Sequence, residues 1–124
     1  MNIIISNSSE QPIYEQITDQ IKNKILCGKL KAGDLLPSMR ALARDLHISV
    51  ITTKRAYEEL ERSGFINTVV GRGSFVAQTN MELMKEEHYR KVEGLLTEGV
   101  HLAKQSGIEF EELADILRML YEEE

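Results

Sequence analysis

Isoleucine returns every four residues at Ile13, Ile17, Ile21 and Ile25, with Tyr14 and Leu26 beside the stripe. That spacing keeps one face of an α-helix apolar and predicts a helix of about four turns. Pro12 is tolerated in its first turn. Gly28, after Cys27, suits a left-handed residue just past its end. Upstream, Ile3 to Ile5 is a short β-branched run, expected as an edge strand. The connector "GKLKAGDLLPS" (28–38) carries two glycines and a proline. Leu30, Leu35 and Leu36 are expected to anchor it in the core.

Ser38 is a good N-cap for a short second helix whose apolar face is Leu42, Ala43 and Leu46, with Met39 beside it. "LHIS" (46–49) then makes a tight turn into Ser49, a second cap. A third helix is expected over about 50–63. It turns Ala56, Tyr57 and Leu60 inward, with Thr53 one turn earlier, and Gly64 stops it. "FINTVV" (65–70) and "SFVA" (74–77), joined by "GRG" (71–73), read as a hairpin with a short basic tip. The order helix, helix, turn, helix, hairpin is a winged helix-turn-helix. The expected fold class is mainly α with a small β wing.

After Thr79 the pattern changes. Asn80 is placed to cap a long helix over about 81–105. Met81, Met84, His88, Val92, Leu95, Leu102 and Ala103 lie near one stripe of it, with Leu96 and Val100 alongside. Gly94 and Gly99 interrupt the stripe, so either the helix breaks there or another backbone comes close. Ser106-Gly107 ends it. A last helix, about 109–122, offers Phe110, Leu113, Ile116, Leu117, Leu120 and Tyr121 on one side. Two such helices form a marginal core by themselves. They are expected to be a dimerisation element, with Met84, His88, Val92, Leu95, Leu96, Leu102, Phe110, Leu113, Leu117 and Leu120 meeting a second copy. Packing on the chain's own first part is the other reading. The organisation expected is a DNA-binding domain over 1–79 and a helical dimerisation region over 80–124.

Charge sharpens that division. The 124 residues carry a formal net charge of −5, which argues against a nucleic-acid partner when averaged over the chain. Residues 1–79 hold +2 and residues 80–124 hold −7, so the first part is the cationic one. No apolar run approaches the roughly 18 residues of a membrane span, and the N-terminus lacks the layout of a signal peptide. The single Cys27 excludes an intrachain disulfide and fits a reducing cytoplasm. His47, His88 and His101 lack metal-ligand spacing, and no catalytic or nucleotide motif is present. No enzyme activity, cofactor or metal is expected.

In a helix-turn-helix the second helix of the motif enters the major groove with its N-terminal residues on base edges. Here Val50, Ile51, Thr52, Lys54 and Arg55 remain for the outer face once Ala56, Tyr57 and Leu60 face the core. Apolar side chains suit thymine methyls, hydroxyls suit either base type, and cations suit phosphates or guanine edges. Ser49 and the helix N-terminus add donors for a phosphate. Ser38, Arg40 and Arg44 on the preceding helix, and Arg72 between Gly71 and Gly73, complete the expected DNA-binding set. A plain amphipathic helix with a solvated first turn, and a solvated basic hairpin, are the bland alternatives.

At "PIYEQI", "LKAGDLLPSMRALARDL", "TKRAYEELERSGFI" and "GRGSFV", covering about residues 10–77, the chain resembles the GntR family of bacterial transcription regulators. Its short two-helix C-terminal part is similar to the YtrA-type branch. The resemblance implies a homodimeric protein, most often a repressor and often linked to ABC transporter genes. It carries DNA contact over to Arg40, Ser49, Thr52 and Lys54, and to the wing formed by Gly71, Arg72 and Gly73. The family often has arginine where this chain has Val50, asparagine or threonine where it has Ile51, and a turn glycine where it has His47. The base preference should therefore differ from relatives with arginine at that place. The expected function is a homodimeric repressor on a pseudo-palindromic operator in double-stranded DNA. A winged-helix adaptor for protein contacts is the alternative. No effector cavity is legible, and a small-molecule effector would bind between domains.

Overall fold

The isoleucine stripe becomes α1 (Ile13–Leu26), with Ile17, Ile21 and Ile25 buried and Ile13 half-buried. A computed structural model describes residues 1–78 and 81–123, with the side chains of Met81 and Leu83 outside that description. The expected Asn80 cap, the Met81 end of the stripe, the division at 79–80 and the closing Glu124 fall on residues outside it. α2 (Met39–Leu46), α3 (Val50–Arg62), β1 (Ile66–Val69), β2 (Gly73–Val76), α4 (Met81–Gln105) and α5 (Phe110–Glu122) follow in order. The chain divides into two compact units, Met1–Glu82 and Leu83–Glu124.

In the first unit α3 is the central element, packed against α1, α2 and β1. Its Ala56, Tyr57 and Leu60 are buried, as are Ile17 and Ile21 of α1 and Leu42 and Ala43 of α2. The turn between α2 and α3 closes on His47, at φ 57. Ile48 N–H donates to Ala43 O and His47 N–H to Arg44 O, the two bonds that close a helix through a left-handed residue. α3 ends at Arg62, one residue before the expected end at about 63. Gly64, at φ 83, lets Phe65 N–H reach Leu60 O and turn the chain into β1.

β1 and β2 pair antiparallel, with Ile66 opposite Val76 and Val69 opposite Gly73. The other edge of β2 takes the connector: Leu36 N–H donates to Ser74 O and Val76 N–H to Asp34 O. This corrects the reading of Leu35 as a core anchor. In an extended segment, neighbouring side chains point to opposite faces. Leu36 is buried, so Leu35 faces outward, bridged to Phe75 through its backbone.

Ile3 to Ile5 does not form the expected edge strand. Two glutamine side chains of α1 take the place of a neighbouring strand. Gln20 accepts from Ile4 N–H and donates to Ile4 O, while Gln16 accepts from Ser6 N–H and donates to Ser6 O. Backbone groups that a strand would satisfy by pairing are satisfied by amides instead, and Ile3 is buried.

In the second unit α4 runs unbroken through Gly94 and Gly99, and a Cβ at either would meet nothing within 4 Å. Among the described residues, neither the break nor a close backbone approach is found. Flanking good helix formers outweigh a cost of up to about 1 kcal/mol per glycine. Gly107, at φ 74, ends the turn into α5. From there the two helices border an open apolar groove of about 510 Å³, lined by Leu95, Leu96, Val100, Phe110, Leu113, Leu117 and Leu120 among others. Among the described residues of this unit, only Ala103 is buried. Of the residues expected to dimerise, Met84 and Leu113 are half-buried; His88, Val92, Leu95, Leu96, Leu102, Phe110, Leu117 and Leu120 are exposed. Met84, His88, Val92 and Leu102 lie outside this groove.

Candidate nucleic-acid interface

The first turn of α3 is built to be presented. Ser49 stands at its N-cap and its Oγ accepts from Ile51 N–H at 3.1 Å. A serine hydroxyl that accepts a bond keeps its own proton free to donate to a further acceptor. Val50 is 44% exposed and Ile51 79% exposed. β-branched residues at the exposed start of a helix gain neither propensity nor burial there, so a contact outside the chain explains them better than stability does. Lys54 and Arg55 are exposed one turn on, and Thr52 is half-buried.

α2 supplies a second set. Ser38 caps it, its Oγ accepting from Ala41 N–H at 3.0 Å. Arg40 and Arg44, four residues apart, are both exposed. Among the described residues, the salt bridges join Arg62 to Glu59 and Arg90 to Glu86. Arg40, Arg44, Lys54, Arg55 and Arg72 are thus cations without a carboxylate partner there. Exposed cations of this kind have the charge that a phosphate backbone would take.

Arg55 has a more specific placement than its exposure suggests. Its guanidinium carbon lies 3.8 Å from the centroid of the Tyr14 ring on α1. Stacking of this kind holds a guanidinium in place while leaving its edge donors free. Arg55 is therefore held to the α1 side of α3.

In the wing, Gly71 sits at φ 80 and Gly73 at φ 109. A Cβ on Gly73 would come 3.1 Å from Leu35 Cδ1, so this glycine answers both the backbone and the connector packed beside it. Arg72 between them is exposed, and its N–H donates to Val69 O to close the turn. The glycines shape the tip; the side chain with chemistry to offer is Arg72. Val70, next to the tip, is 98% exposed and was not among the expected contacts.

Beneath this surface lie two hydroxyls that periodicity read only as core. Tyr57 Oη donates to Pro37 O at 2.7 Å. Thr53 Oγ1 lies 3.0 Å from Met39 O and 2.9 Å from Val50 O, so its single proton is shared between them. Burial pushes the Tyr57 phenol up to about 12, and it stays a neutral donor through the physiological range. Only the assembled packing shows which carbonyls these groups meet.

Residues 13–76 match the model of a family described as bacterial regulatory proteins, gntR family. The chain is 36% identical over 116 residues to the HTH-type transcriptional repressor YtrA of Bacillus subtilis (strain 168), covering 94% of this chain and 89% of that protein. A transcriptional regulator from Oenococcus oeni superposes with a TM-score of 0.71 at 29% identity, over 94% of this chain and 97% of its own. The DNA-binding domain of AraR, solved in complex with operator ORX1, superposes with a TM-score of 0.54 at 29% identity, over 60% of this chain and 92% of its own.

Proposed function

The chain belongs to the gntR family of bacterial regulatory proteins, and from that premise we propose that it is a homodimeric repressor acting on a pseudo-palindromic operator. It is a DNA-binding transcriptional regulator of winged-helix fold, and its family and relatives are regulators, not enzymes. No helix among the described residues is long and apolar enough to cross a membrane. The working compartment we assign is the cytoplasm, where the DNA is. The operon it controls is expected to include transporter genes.

The observation that carries the reading is the first turn of α3. Val50 and Ile51 stand exposed there beside Ser49 and Lys54, while the opposite face of the same helix is buried. In the proposed complex this turn enters the major groove, with Val50 and Ile51 against thymine methyls. Ser49, Lys54 and Arg55 meet phosphates. Ser38, Arg40 and Arg44 approach from α2, and Arg72 reaches the minor groove or its phosphates. Two copies joined through α4 and α5 would place two such surfaces on successive turns of one face of the duplex. Occupancy of the operator blocks polymerase.

Selection of bound sequences from a random duplex pool tests this directly. Wild type should return a two-fold site, and Val50→Arg should shift one position in each half-site toward G, since arginine pairs bidentately with guanine. Identical sites from both proteins would remove Val50 from base reading. Failure to enrich any site, with no salt-dependent affinity, would favour the adaptor reading instead.

Titration separates the two kinds of cation. Arg40→Ala should weaken operator binding by about 1–3 kcal/mol if it reaches a base edge. Lys54→Ala should lower the slope of log affinity against log salt by about 1, one phosphate's worth of released counterion. An unchanged slope would take Lys54 off the backbone.

A further inference from the structure

We propose that Tyr57 and Thr53 are positioning residues for operator recognition: their buried hydroxyls latch the two backbone carbonyls that flank Ser38, and so set where Ser38 and Arg40 stand relative to the reading turn of α3. The inference rests on the proposed DNA contact of α2.

The geometry is specific. Tyr57 and Thr53 are 1% and 0% exposed, both on α3. Their acceptors, Pro37 O and Met39 O, are the carbonyls on either side of the α2 cap, at 2.7 and 3.0 Å. Pro37 precedes the helix, so its carbonyl lies outside the intrahelical ladder, and Tyr57 satisfies it. Arg40 follows Met39 directly, and Ser38 lies between the two latched carbonyls. The reading surface is split between two helices, so its accuracy depends on their mutual placement. Apolar packing leaves two helices some freedom to slide, whereas a hydrogen bond fixes one atom against another.

Packing alone does not call for these hydroxyls. Phenylalanine would fill the volume of Tyr57 without placing a hydroxyl in an apolar core, and valine is nearly isosteric with threonine. A buried hydroxyl must be partnered to be tolerated. Here the partner of Tyr57, and one of the two acceptors of Thr53, lie at one place, the start of the helix that carries Ser38 and Arg40. Concentration of two buried polar bonds at that point, across 20 and 14 residues of sequence, is the mark of a positioning device.

The test is a mutant cycle on the full-length protein, read on its selected operator and on an unrelated duplex of equal length. Tyr57→Phe should lower operator affinity by about 3- to 10-fold, the scale of one hydrogen-bonded contact, and leave affinity for the unrelated duplex within about twofold. Combined with Arg40→Ala, the added loss should shrink to less than about twofold, because the residue being positioned is gone. Thr53→Val, acting on the other carbonyl, should show the same pattern. A purely structural role would lower the melting temperature but affect both duplexes alike, and that result overturns the proposal. Full additivity with Arg40→Ala overturns it as well, while leaving the Arg40 contact intact. Unchanged operator affinity in Arg40→Ala itself would remove both the contact and the positioning.

Discussion

Replacing Leu96 and Leu117 together with glutamate should leave a monomer that binds the intact operator about 10²–10⁴-fold more weakly than wild type, the gain that linking two binding modules confers. The expectation starts from what the second unit fails to bury. Leu95 is 69%, Phe110 76% and Leu120 56% exposed in the single chain. Leu96 and Leu117 line the open groove shared by α4 and α5. A contiguous apolar surface of this kind marks an interaction site on a soluble protein. Glutamate there would place unpaired charge in the proposed interface, which costs far more than the lost packing alone. Sedimentation should show the wild type as a dimer at micromolar concentration and the double mutant as a monomer. Affinity for a single half-site should change little, because the first unit is untouched. A monomeric wild type would overturn the dimer reading.

Leu60→Ala should destabilise the first unit by about 2–5 kcal/mol, the range for removing a buried leucine and leaving a cavity. A small domain has only about 5–15 kcal/mol in total. Leu60 is fully buried on α3, the helix that touches α1, α2 and β1. Its backbone O also accepts from Phe65 N–H, which turns the chain into the wing. The cavity would therefore open in the helix that these elements share. Urea unfolding followed through the amide signals of α1 should show a lower midpoint with an unchanged slope. A loss below about 1 kcal/mol would mean that the core collapses around the site and that α3 is less central than its contacts indicate.

The local architecture was legible because it rests on short-range rules. The four-residue recurrence of isoleucine in α1, the Ser38 and Ser49 caps and the turn glycines act within a few residues of themselves, and each did so in the fold. The left-handed place of His47 was implied by the resemblance, which has a turn glycine there. The expected contact set on α3 came from subtracting the buried face from the helix, and Val50, Ile51, Lys54 and Arg55 are indeed exposed.

The misreadings share a cause. Ile3 to Ile5 has strand composition but no strand to pair with, and glutamines from α1 satisfy its backbone. Leu35 and Leu36 are equally apolar. Which one is buried depended on the connector pairing with β2, an interaction some 40 residues away in sequence. Arg55 and Lys54 are neighbours of the same charge. Only the packing of α1 on α3 gave one of them an aromatic ring to lie on.

The sequence by itself therefore determined the helices and the hairpin, the Ser38 and Ser49 caps, the buried face of α3 and the family to which the chain belongs. Tertiary structure alone decided which of two leucines is buried, which cation is stacked, and which carbonyls the hydroxyls of Thr53 and Tyr57 hold. The physical reason is range. Periodicity and capping act within one or two helical turns, whereas Tyr57 meets its acceptor 20 residues away. No local pattern contains that distance until α2 has packed on α3.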